Sequence, residues 1–146
     1  MKVIIFVFTL FNISACMANN PSLSEISYLK SAIVNTPYSA LIQQVDVNAE
    51  AVSDDDSIVR LIISAEVIET FRGDKQKVLQ YEMFVEKGEE VDVESQPIVV
   101  TLCKQDGRYF WPGTGAMFSH NEITLENVRN KVKTLDPHQV EFNDCE

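Results

Sequence analysis

The chain has 146 residues, 45% of them hydrophobic, with 22 acidic against 12 basic side chains and a formal net charge of −10. A field of that sign repels phosphate backbones and anionic headgroups, so no nucleic acid is expected as a partner, and a basic protein or a cation is attracted instead. The length suits one domain around a single core.

The chain opens with a leader. Met1-Lys2 is a short positive start, and Val3 to Leu10 is an almost unbroken apolar run. That is about half of the roughly 20 residues a membrane-spanning helix needs, so it reads as the hydrophobic region of a secretory signal. Next comes Ile13-Ser14-Ala15-Cys16. It resembles the lipobox of bacterial lipoproteins: an aliphatic residue, a small residue, Gly or Ala, then Cys. The resemblance implies cleavage before Cys16, a diacylglycerol on its sulfur and a fatty acid on its new amino group. Several acyl chains make a stable membrane anchor. An ordinary signal cut near Ala15 or Ala18 would leave Cys16 a spare thiol. Met17, not Asp, follows Cys16, which in the enterobacterial sorting rule points to the bacterial outer membrane, with the domain in the periplasm. The expected organisation is a signal peptide over 1–15, a lipidated tether over 16–22 and one globular domain over 23–146. Losing Lys2 with the leader leaves 11 basic residues, and 11 − 22 gives −11.

Leu23, Ile26, Leu29 and Ile33 fall at helical spacing after Ser22 and Ser24, and Pro37 stops the run, which predicts a helix over 23–34. In 38–52, Leu41, Val45, Val47, Ala49 and Ala51 alternate with polar residues, the period of a half-buried strand. Residues 53–57 break it. A long strand over 58–71 follows, with Val59, Leu61, Ile63, Ala65, Val67 and Phe71 on one face. Arg72 to Lys75 reads as a tight turn into a strand carrying Leu79, Tyr81, Met83 and Val85. These three strands predict an antiparallel meander. Residues 86–96 are acidic and loop-like, and 98–103 is apolar on both faces, as in a central strand. A hairpin turn at 105–108 leads into Tyr109-Phe110-Trp111, and Pro112 to Gly115 bends the chain. A second helix is expected over 124–134, with Thr124 as its cap and Pro137 beyond its end.

The expected fold class is therefore mostly β with flanking helices: a small antiparallel barrel, or a curved meander sheet, with one helix near each end. The run from Ala65 to Gly73, a strand, and then Pro97 to Cys103 resembles the pattern of netrin-like domains, the superfamily of the tissue inhibitors of metalloproteinases. That resemblance implies an OB-type barrel. Those inhibitors chelate the protease metal with a free N-terminal cysteine in a Cys-x-Cys start. Here the start is Cys16-Met17-Ala18, which lacks the second cysteine, and lipidation would block amine and sulfur alike, so the mechanism does not carry over.

With Cys16 assigned to lipid, Cys103 and Cys145 remain as a pair for one disulfide in an oxidising compartment. No catalytic motif is present, and no Cys/His cluster has metal-ligand spacing, so neither catalytic nor metal residues are assigned and no cofactor is expected. His120 and His138 lie near helix ends. Asp54-Asp55-Asp56 and the stretch from Glu86 to Glu94 lack the spacing that makes carboxylates converge on a cation. Arg108-Tyr109-Phe110-Trp111 reads either as core filling or as a binding surface carried by Arg108, Tyr109 and Trp111. Tyr109 and Trp111 share one side of their strand. The function expected is a non-enzymatic binding module, anchored to the membrane by lipid, for a protein or other envelope component. The alternatives are an inhibitor or immunity protein against a basic envelope-directed enzyme, and an enzyme whose site carries no recognisable motif.

Overall fold

The computed structural model describes residues 20–52, 57–89, 91–113 and 115–146. The leader, Cys16 and the three aspartates at 54–56 lie outside them. No helix among the described residues is long and apolar enough to cross a membrane.

Helix α1 is Leu23–Asn35, and the Ser22 side chain accepts a hydrogen bond from the Glu25 N–H at 3.1 Å to cap it. Leu29, Ala32 and Ile33 form its buried face, while Leu23, the first residue of the helix, is 92% exposed. The strands are β1 (Tyr38–Ala51), β2 (Ile58–Arg72), β3 (Val78–Glu86), β4 (Ile98–Gln105), β5 (Arg108–Phe110) and β6 (Met117–Ser119). Helix α2 is Glu122–Val132 and a 3-10 turn is Asn143–Cys145.

The strand order β1-β2-β3-β5-β4, closed by a β1–β4 pairing, makes a five-stranded OB-like barrel. The predicted meander is present in β1, β2 and β3. After β3 the order departs from a meander, because β5 inserts between β3 and β4 and runs parallel to β3. β6, a stretch to which the sequence assigns no element, pairs with the start of β4 on the edge that β5 uses further along. β5 and β6 thus behave as one strand that breaks off after Phe110 and resumes at Met117.

Closure requires strong coiling, and β-bulges supply it. Register shifts in the β1–β2 ladder leave Val45 of β1, and Ile68 and Phe71 of β2, without direct partners. Each bulge reverses which side faces in. Tyr38, Ala40, Ile42 and Gln44 point into the barrel before the Val45 bulge and Val47 after it, so the single inward face expected for 38–52 is split. Phe71 likewise leaves the barrel interior and packs under the helices. The connection after β2 also runs wider than the expected tight turn, spanning 73–77.

Two cores result. One fills the barrel. The other lies outside the β1–β4–β6 wall, where α1 and α2 pack side by side over Leu41, Val99 and Phe118. β4 is buried from Ile98 to Cys103 because it separates them. α2 starts earlier than predicted: Asn121 is the cap, its Oδ1 accepting from the Thr124 N–H at 2.8 Å, and Thr124 is a buried residue of the first turn. Cys103 and Cys145 form a disulfide with a Cα–Cα distance of 5.4 Å, which ties the C-terminal tail to β4.

Candidate functional site: an acidic barrel mouth

One pole of the barrel is where β1 ends, β2 begins and β3 ends. Ile58 pairs with Glu86, and the Lys87 N–H donates to the Ser57 carbonyl at 2.8 Å. Residues 87–89 and 91–97 then cross the opening without regular structure. Beneath them is a cleft of about 540 Å³, whose apolar wall includes Met83, Val85, Val91, Trp111 and Met117. Glu89, Asp92 and Glu94 line its rim, and none has an ion-pair partner among the described residues. Phe84 and Val93 also border it, 54% and 39% exposed.

A buried polar chain positions the rim. Gln44 occupies an inward phase of β1, and its Nε2 donates to the Tyr81 hydroxyl at 2.7 Å while its Oε1 accepts from the Glu94 N–H at 2.8 Å. The Gln43 Nε2 donates to the Glu94 carbonyl at 2.9 Å. Both backbone groups of Glu94 are therefore held by adjacent glutamines. Burial pushes the Tyr81 phenol up to about 12, and the Glu94 carboxylate adds to that shift. The Trp111 indole Nε1 is buried with no hydrogen-bond partner among the described residues. Such a donor is costly to leave unpaired.

The expected binding residues divide between inside and outside. Tyr109 is buried in the barrel core, its ring 4.7 Å from that of Tyr38, and Trp111 packs against the same core while walling the mouth. Arg108 is exposed and lies 3.4 Å from Glu82, which also approaches Arg60. Phe110 faces away from Tyr109 and, with Phe84, lines a shallow depression on the outer sheet. His120 and His138 are exposed. No group of His, Cys, Asp or Glu among the described residues is arranged to hold a metal ion.

At the opposite pole a cleft of about 480 Å³ lies between the barrel and the C-terminal tail. Its charged groups are already engaged. Arg72 Nη1 donates to the Ile33 and Val34 carbonyls at 2.7 and 3.3 Å, capping α1, and its Nη2 donates to Gln139 Oε1 at 3.0 Å. Lys104 pairs with Asp74 at 2.9 Å. Burial raises the Tyr38 phenol above its ordinary value, and Gln76 and Thr70 oppose that shift without a well-formed hydrogen bond. This cleft reads as the joint that fastens the tail.

Sequence reasoning missed Gln43, Gln44 and the convergence of the 86–94 stretch on Trp111. The available signal was Gln44 itself, a polar residue in phase with Tyr38, Ala40 and Ile42. No protein-family model matches this chain, and no curated protein matches it.

Proposed function

We propose that this chain is an outer-membrane lipoprotein, anchored through Cys16, whose periplasmic domain is a non-enzymatic binding module for a basic protein. The observation that carries the reading is the mouth, where an apolar cleft is rimmed by Glu89, Asp92 and Glu94, carboxylates without ion-pair partners among the described residues. Clefts with an apolar lining and a few placed polar groups are common binding sites, and complementary charge raises both the association rate and specificity. The net charge of −10 extends the attraction beyond the rim. A partner that is itself a basic envelope-directed enzyme would make the module an inhibitor or immunity protein.

The rim gives the informative substitutions, since Tyr109→Ala or Trp111→Ala would open cavities in the core. Affinity capture from solubilised envelopes should retain a basic protein on the wild-type chain and lose it on the Glu89→Gln/Asp92→Asn/Glu94→Gln variant. Equal retention by both would refute the mouth as the site. For the anchor, Cys16→Ser should abolish acyl labelling and release the chain from the membrane fraction; unchanged membrane association refutes the lipid assignment.

A further inference from the structure

We infer that the mouth seats an apolar side chain from an extended, lysine- or arginine-rich segment of the partner, with the flanking cations on Glu89, Asp92 and Glu94. This inference rests on the basic-protein reading and specifies how such a protein would be held. Three features of the cleft select this occupant.

The first is the wall. Met83, Val85, Val91 and Met117 present apolar surface to an open cleft, and Phe84 and Val93 leave more at its lip. Covering apolar area is favourable at about 25 cal/mol per Å². A wholly polar cationic chain would gain none of this.

The second is the rim. Its carboxylates disfavour a fatty acid, an anionic headgroup or an acidic peptide, each of which would bring like charge against Glu89, Asp92 and Glu94.

The third is the Trp111 Nε1, buried without a partner. It calls for an acceptor, and the acidic surroundings require that acceptor to be neutral. A peptide carbonyl meets both conditions, whereas an alkylamine offers cation and chain but no acceptor. For a ligand to reach this donor, the irregular 91–94 wall of the cleft has to yield. That wall is exposed from Asp92 to Glu94 and anchored at Glu94 by side chains.

Trp111 is the single tryptophan of the chain, so its emission reports on this site directly. The test titrates the purified full chain with a blocked octapeptide carrying a central Leu-Phe pair and three lysines on either side. Control peptides replace Leu-Phe by Ser-Ser, or every lysine by glutamate, and a long-chain primary amine serves as a non-peptide probe. Expected are a saturable change in Trp111 emission, at least tenfold weaker binding of the Ser-Ser peptide, and no binding of the glutamate peptide. Glu89→Gln/Asp92→Asn/Glu94→Gln should weaken the Leu-Phe peptide at least tenfold at an unchanged unfolding midpoint. Trp111→Phe, followed by calorimetry, should weaken it several-fold through loss of the N–H. Equal affinity for the Leu-Phe and Ser-Ser peptides overturns the insertion and leaves the basic-partner reading standing. Tight binding of the glutamate peptide overturns both. If the amine matches the peptide, the occupant is an amphiphile and the peptide inference fails. If no peptide binds, insertion fails, and envelope capture judges the broader reading separately.

Discussion

Gly73 adopts a φ of +89°, and a Cβ built there would lie 2.8 Å from Tyr38 Cδ2 and 3.1 Å from the Pro37 carbonyl oxygen. The position therefore combines left-handed backbone with close approach. Gly107, at φ +80° in the β4–β5 turn, has open space around it. Gly73→Ala should cost about 2 to 4 kcal/mol of stability, and Gly107→Ala about 1, as read from chemical denaturation. Similar losses at both would mean that the Tyr38 contact contributes nothing. Tyr81 gives a pH signature. Its folded pKa of about 12 exceeds the unfolded value near 10, so the folded state retains a proton that the unfolded chain releases. The associated stability is complete below pH 10 and is lost as pH rises towards 12, on the order of 2 kcal/mol. Tyr81→Phe should flatten that part of the stability profile; a slope identical to wild type would show that other groups produce it.

At the scale of elements, the tail beyond α2 has little apolar content of its own and is held by specific links. The disulfide fixes Cys145 to β4, the Gln139 Nε2 donates to the Val34 carbonyl at 2.9 Å, and the Phe142 ring lies 4.9 Å from the Arg72 guanidinium. Arg72 completes the arrangement by capping the end of α1, which has no basic residue in its last turn. With a sequence separation of 42 between the cysteines, the chain-entropy model gives about 4 kcal/mol for the cross-link. Reduction, or a Cys103→Ala/Cys145→Ala variant, should lower stability by that order. Hydrogen exchange should accelerate in the tail and the last turn of α1 before it does so in β3. Uniform acceleration throughout would place the tail within the barrel's own cooperative unit.

For the whole molecule, the two poles have divided roles: one is closed by the tail and its satisfied charges, and the other is open and acidic. With a net charge of −10, long-range attraction should dominate encounter with any basic ligand. Raising salt from about 20 to 300 mM should therefore weaken binding of the lysine-flanked peptide at least tenfold, chiefly through slower association, since the Debye length falls below about 10 Å over that range. Salt-independent affinity would assign the binding to apolar contact alone. The unfolding midpoint should respond far less, because the surface ion pairs contribute little.

The order of helix, strands and helix was legible in the sequence because period and punctuation are local: Leu79, Tyr81, Met83 and Val85 alternate inward as their spacing predicts, and Asp106-Gly107 makes the hairpin turn, both residues having positive φ. The cysteine pairing was legible too, from counting. Strand order was not, because nothing near Arg108 encodes that β5 will lie parallel to β3, a contact that exists only when the sheet closes. The bulges at Val45, Ile68 and Phe71 were hidden for the same reason: an inserted residue looks like continued alternation until its partner strand is in register. The candidate site was the least legible part. Gln43 and Gln44 lie about 50 positions from Glu94 in sequence, and Trp111 reaches the 86–94 stretch only across the mouth. Sequence alone determined which segments become helix or strand, because period and punctuation are local; the tertiary structure decided which faces point inward past each bulge and which acidic and aromatic residues meet, because barrel closure brings them together.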